Sequence, residues 1–350
     1  MPSKLPMVQA RRIVMSSIRT RFLLVSDSHG QIEQADDIAV EAKADAVIHA
    51  GDFGFYDEDS YERISDRELR LLIVHSKLSQ QDKSCILELD RTDRIAKAKE
   101  NGLAGEFQSY INGQRTLRVP VYAVWGNHED KYVVERLYDG KLSIPNLNIL
   151  HHKTSFELGG NVVYGLGGNL LPGSKMLQKP IAGGSGKIWS TLSQYTDLVK
   201  TVDNLKNETG LRIFVSHVSP GKEPFVEFVG ARTNANFTIS GHMGAPHCMV
   251  WNAFAVHSVE ESTNRIKAAL KAIRNTCLET TQNTGWVSDA FSSIDSHTDE
   301  LVSISRESKG PRWYRNMTHI NLPDAHAGYA ILDIVDGQGK IETFQTSSLQ

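Results

Sequence analysis

Cysteine is scarce in this sequence. Its 350 residues hold three, Cys85, Cys248 and Cys277, far apart and odd in number. That excludes the disulfide framework of a small secreted protein and suits a reducing, cytoplasmic compartment. Excess charge is missing too: 38 basic and 41 acidic residues leave a formal net charge of -3. Composition therefore carries no strong signal for nucleic acid or for an acidic membrane surface. No apolar run approaches the ~20 residues that span a bilayer, and neither internal repeats nor low-complexity stretches occur. What is present, 40% hydrophobic and 23% charged residues, is the balance of a globular chain long enough for one large domain or two ordinary ones.

Residues 1–20 are basic and lack acids, with Lys4, Arg11, Arg12 and Arg19 but no clear amphipathic stripe. They read as a flexible leader, with organellar targeting as the alternative. Ordered structure is expected from Arg21. Phe22-Leu23-Leu24-Val25 is wholly apolar and stops at Ser26-Asp27-Ser28-His29, the pattern of a strand buried on both faces. Residues 32–44 have helical spacing, and Ala46-Val47-Ile48-His49 is a second buried strand ending at Gly51-Asp52. Residues 57–118 are charged and helical in flavour and read as an insertion, a cap over one rim. Strand text resumes at 119–125 and ends at Gly126-Asn127-His128-Glu129. Two or three short strands follow within 147–166, turning at Gly159-Gly160. Residues 188–205 have apolar positions at helical spacing, from Ile188 to Leu205. Buried strands at 212–215 and 237–239 close at His217 and His242, a helix is expected over 259–278, and a second insertion spans about 252–310. The chain ends in a hairpin around Asp336-Gly337.

Five times, then, a short apolar strand runs directly into a side chain able to bind a metal. In open α/β sheets, sites form beyond the carboxyl ends of the strands, so such side chains converge without being near in sequence. Carboxylate, amide and imidazole together suit Mn²⁺, Fe or Zn²⁺.

In this order, Asp27-Ser28-His29, Gly51-Asp52, Gly126-Asn127-His128-Glu129, His217 and Gly241-His242 resemble the signature of the calcineurin-like metallophosphoesterase superfamily. The resemblance covers residues 21–242. It implies an α/β, four-layer αββα sandwich of two mixed sheets flanked by helices, and a metal-dependent hydrolase of phosphate mono- or diesters. Carried over residue by residue, it implies two divalent cations, the first on Asp27, His29 and the bridging Asp52. Asn127, His217 and His242 would hold the second with Asp52. His128 would hydrogen-bond the phosphoryl group and protonate the leaving oxygen. Two cations ~3.5–4 Å apart clamp a phosphate and acidify a bound water. The implied partner is a phosphorylated small molecule or a nucleotide.

The sequence departs from that pattern at Gly241-His242-Met243-Gly244, where the family carries a further histidine in place of Gly244. His247 is the nearest replacement. The gap keeps open a second reading, a weakened or inactive member acting as a binding or scaffold protein. After Asp52 come Phe53-Gly54-Phe55-Tyr56 instead of the Asp-Arg-Gly continuation of the protein phosphatases, and core packing is the simplest role for those rings. Gly183-Gly184-Ser185-Gly186-Lys187 does not satisfy the spacing of a phosphate loop. It is expected to be a glycine-rich loop at the rim, followed by a helix N-terminus that helps hold phosphate.

Overall fold

A computed structural model describes residues 19–170, 174–177, 180–204, 210–244, 247–252, 258–281 and 317–346, with 285, 287–292, 295–296 and 299 between them. Most of the expected leader and much of the 252–310 stretch lie outside the described residues. In chain order the elements are β1 (Arg19–Val25), α1 (Ile32–Glu41), β2 (Ala46–His49), α2 (Ser60–Arg63), α3 (Asp66–His75), α4 (Gln80–Glu88), α5 (Arg91–Glu100), α6 (Phe107–Ile111), β3 (Val121–Ala123) and α7 (Lys131–Tyr138). Then come β4 (Leu147–Ile149), β5 (Ser155–Leu158), β6 (Asn161–Leu166), β7 (Asn169–Leu170), β8 (Ala182–Gly184), β9 (Lys187–Ser190), α8 (Leu192–Asp203), β10 (Arg212–Ser216), α9 (Pro224–Arg232), β11 (Phe237–Ser240), β12 (Met249–Asn252), α10 (Val259–Glu279), β13 (Thr318–Asn321), β14 (Gly328–Val335) and β15 (Gln338–Gln345).

Two six-stranded mixed sheets form the body, in the orders β15-β14-β1-β2-β3-β4 and β12-β13-β11-β10-β6-β5. In the first, β1 to β4 run parallel, and β14 pairs antiparallel with β1. In the second, β6, β10, β11 and β13 run parallel. The apolar runs are continuous because each central strand is covered on both faces. Phe22 and Leu24 join Ile48, Ile213, Val215 and Ile239 in the core between the sheets. Leu23 and Val25 face the other way, against Ile32, Ala35 and Ala39 of α1. The outer face of the second sheet is covered by α8, α9 and α10 through Tyr195, Phe225, Phe228 and Leu270. The result is the four-layer sandwich with helices on both sides. Among the described residues, no helix is long and apolar enough to cross a membrane.

Residues 57–118 contain α2 to α6 and no strand. These helices close around their own core, including Tyr61, Leu69, Ile73, Ile86 and Ile95. Ser65, Ser79 and Asp90 cap α3, α4 and α5 by accepting from the third helical N–H, which explains three helices in quick succession.

Two expectations need correction. The first strand begins at Arg19, inside the expected leader, because Arg19 and Thr20 already pair with Val335 and Ile334. Ile188 is not helical: it lies in β9, antiparallel to β8, in a small three-stranded sheet with β7. The glycine-rich loop is the turn of that hairpin. The helix after it starts at Leu192 with Thr191 and Gln194 forming a capping box, so its N-terminal groups are met from within.

Candidate metal centre

Every parallel strand of interest delivers its polar residue through a sharp turn. Asp27 follows β1, Asp52 follows β2 and His242 follows β11, and these three, with His29, have positive φ of 51°, 51°, 58° and 46°. A non-glycine residue rarely adopts that conformation, and each instance costs ~1–3 kcal/mol. Neighbouring glycines make the turns possible. A Cβ on Gly126 would sit 1.9 Å from the Asp52 Oδ1, and one on Gly241 would sit 2.4 Å from the Asp27 Oδ2.

These turns bring Asp27, His29 and Asp52 together, one ligand atom from each lying within 4.8 Å of the others. Asp52, His217 and His242 form a second such group, so Asp52 belongs to both. Asn127 joins the second group: its Oδ1 lies 2.9 Å from the His217 Nε2. His217 Nδ1 donates to the Ala50 carbonyl at 2.9 Å, which fixes the hydrogen on that nitrogen. Nε2 thus faces Asn127 Oδ1 and, at 3.6 Å, Asp52 Oδ2. Three electron-pair donors aimed at one another in a buried site fit a cation between them.

Burial acts on these donors with different results. Burial lowers His29 and His242 to about 4, leaving both imidazoles neutral. Asp27 is pushed up, first by burial and then by the charge of Asp52, despite the pull of His217. Burial pushes Asp52 up too, but His217, His29 and His128 outweigh it, and its carboxyl stays below the usual range. Asp52 Oδ1 also accepts from the His128 N–H at 2.8 Å, and Asp27 Oδ2 from the His242 N–H at 2.9 Å.

The supporting residues are buried and connected. The Glu129 Oε1 accepts from the N–H groups of Phe53 and Gly54 at 2.7 and 3.3 Å, tying the third strand's turn to the second's. His49 is kept neutral by burial, lowered to about 3, and links Ser28 to Gly51. Phe53 and Phe55 stack on each other in the core, and Phe107 meets both edge-on. The β8–β9 turn braces the site from outside: Gly186 N–H donates to Glu129 O at 2.6 Å, and Ile188 N–H to Asn127 O at 3.2 Å. The helix N-terminus expected directly after this loop is separated from it by β9.

His128 stands apart from both groups and faces a cavity of about 310 Å³. His29 also lines it, as do Leu71, Leu72, Leu78 and Leu103 of the inserted segment. The His128 Nδ1 lies 2.7 Å from Glu68 Oε2, and Glu68 is buried. Burial lowers His128, yet the Glu68 hydrogen bond and the Asp52 charge prevail and raise it overall. Sequence reasoning missed Glu68. Ser65-Asp66-Arg67-Glu68 reads as a helix start with an acid at the third position, and the Ser65 side chain does accept from the Glu68 N–H. The Glu68 carboxylate, however, turns to His128. His247 is exposed and belongs to neither ligand group.

A family model described as calcineurin-like phosphoesterase matches residues 20–246. No curated protein matches the chain. Among solved structures, a dimetal phosphatase from Danio rerio aligns over 94% of this chain and 99% of its own, at 10% identity and a TM-score of 0.40. A Thermus thermophilus protein aligns over 65% of this chain and 84% of its own, at 15% identity and a TM-score of 0.39.

Proposed function

Since the chain belongs to the calcineurin-like phosphoesterase family, we propose that it is a metal-dependent hydrolase of a phosphate mono- or diester built on a small molecule or nucleotide. In this reading Asp27, His29 and Asp52 hold one divalent cation, and Asp52, Asn127, His217 and His242 hold a second. The observation that carries it is the sharing of Asp52 by two ligand groups, with His217 Nε2, Asn127 Oδ1 and Asp52 Oδ2 facing one another. Bound there, Mn²⁺, Fe or Zn²⁺ would supply positive charge to the phosphoryl oxygens and acidify water.

The chain's own residues do the rest. Strained turns hold the ligands in place before any cation arrives, so little reorganisation is needed. Glu68 orients His128 and stabilises its charged form, leaving Nε2 free to hydrogen-bond the phosphoryl group and hand a proton to the departing oxygen. The adjoining cavity takes the organic part of the ester. Its lining includes one lysine, Lys77, and no arginine, against the acids Glu68 and Glu106. This favours an apolar or ring-bearing group over a polyanionic strand.

The test is hydrolysis of simple aryl phosphate mono- and diesters by the full chain with Mn²⁺ present. Asp52→Asn should remove the activity, and His128→Ala should lower it ~10²-fold or more. Wild-type rates in both variants would refute the assignment.

A further inference from the structure

The group formed by Asp27, His29 and Asp52 provides three protein donors, whereas divalent transition metals are commonly held by about four to six ligands. The turn directly after His242 adds none among the described residues: Gly244 has no side chain, and a Cβ there would meet nothing within 4 Å. Two more donors stand beside His29. His75, the last residue of α3, stacks on His29 with ring centroids 4.3 Å apart and planes 22° from parallel. Asp324 completes a cluster in which one ligand atom from each of His29, His75 and Asp324 lies within 4.8 Å of the others.

Both newcomers are held where they are by the fold. Asp324 lies on the loop between β13 and β14, next to Ala325, whose N–H donates to the Asp27 carbonyl at 3.4 Å. That loop is therefore fastened to the turn that carries Asp27 itself. The α3 helix is anchored by Leu69, Leu72 and Ile73 in the core of the inserted segment, and its C-terminal end presents His75 to the site. Two imidazoles and a carboxylate from three distant parts of the chain thus meet at His29, which is shared with the first ligand group.

We propose that His75 and Asp324 complete the shell of the cation held by Asp27, His29 and Asp52, so that the inserted helices contribute a metal ligand. This rests on the two-cation reading above. It has a structural consequence. Two near-parallel stacked rings cannot both turn a nitrogen to one point, so His75 would have to tilt out of its stack on His29 to join the other donors. His75 is exposed and can do so. Engaged in this way, His75 would tie the C-terminal end of α3 to the sandwich.

The test is Mn²⁺ titration by calorimetry on the metal-stripped full chain, with His75→Ala, Asp324→Asn, the double variant, and Asp27→Asn as reference. Two Mn²⁺ are expected in the wild type. In the double variant one should keep its affinity and the other weaken at least tenfold. In parallel, Mn²⁺ should slow hydrogen exchange across residues 66–75 in the wild type and have no such effect in His75→Ala. Unchanged affinities in the double variant, with a loss in Asp27→Asn, would overturn this proposal and leave the two-cation reading standing. A wild type that binds no Mn²⁺ would overturn both.

Discussion

Glu68 and His128 lie 60 residues apart in the chain, and the carboxylate Oε2 of one sits 2.7 Å from the Nδ1 of the other. The inserted segment therefore reaches into the site and sets the charge of the histidine that faces the cavity. Burial alone would lower His128; the partner carboxylate reverses the sign. Glu68→Gln keeps the shape and removes the charge, so the pKa of His128 should fall. If protonated His128 is the active form, the alkaline limb of the pH–rate profile should move to lower pH, and kcat near neutrality should drop about tenfold. KM should change little. A profile superimposable on the wild type would show that Glu68 does not govern that proton.

Gly126→Ala tests the placement of Asp52. The added Cβ would lie 1.9 Å from Asp52 Oδ1 and 2.2 Å from its backbone N, both in buried surroundings. Neither atom is the far end of a flexible chain, so the turn must move. The expected result is loss of at least one bound cation and destabilisation of roughly 1–3 kcal/mol. Gly140→Ala is the control: its φ is +69°, but a Cβ there meets nothing within 4 Å. It should cost only the strain of its backbone and leave metal content unchanged, as read by elemental analysis beside thermal melting.

The sandwich was legible because its strands are buried on both faces, which writes them as unbroken apolar runs such as Phe22-Leu23-Leu24-Val25. The polar residue directly after each run was equally visible, since the topology needs no long-range knowledge to line up parallel strand ends. Ile188 misled for a physical reason. It keeps helical spacing with Leu192 and Tyr195, yet it packs with Phe53 and Trp125 on one side of the molecule while they pack with Phe225 on the other. Periodicity records that a residue is buried, not which core it enters. Glu68, His75 and Asp324 had no local signal at all. A charged residue near the start of a helix is ordinarily a capping aid, and only the folded chain shows that its carboxylate points elsewhere.

Asp333 fastens the start of the first sheet's opening strand. It accepts from Arg21 at 2.8 and 2.7 Å and from Arg19 at 3.1–3.2 Å. The Arg21 hydrogen bond holds the Asp333 carboxyl below its usual range, with Arg19 adding to it and burial opposing. A depressed carboxylate stabilises the fold above its unfolded pKa of ~3.9 and loses that contribution as pH falls through the lower folded value. Asp333→Asn should therefore cost ~1 kcal/mol at pH 7, the partial exposure of both arginines keeping the figure small. The two proteins should converge in stability as pH falls through that lower folded value, followed by urea unfolding across a pH series; a difference that persists at the acid end would mean packing, not charge, is responsible.

Leu71 tests what the cavity is for. It lines the same cavity as His29 and His128, on the same helix as Glu68 and His75, and is only partly buried. A larger side chain at this position can thus fill the cavity without disturbing the inserted core. Leu71→Trp should raise KM for an ester of a bulky apolar alcohol about tenfold, through lost contact area and steric exclusion of the leaving group. The rate on a methyl phosphate ester, which needs no such room, should stay near the wild type, as should the number of bound cations. The comparison separates the two roles of the inserted helices. If α3 serves only to position Glu68 and His75, both substrates will respond alike. If the cavity binds the organic part of the ester, the bulky substrate alone will suffer, and the selectivity ratio between the two reads out that contact directly.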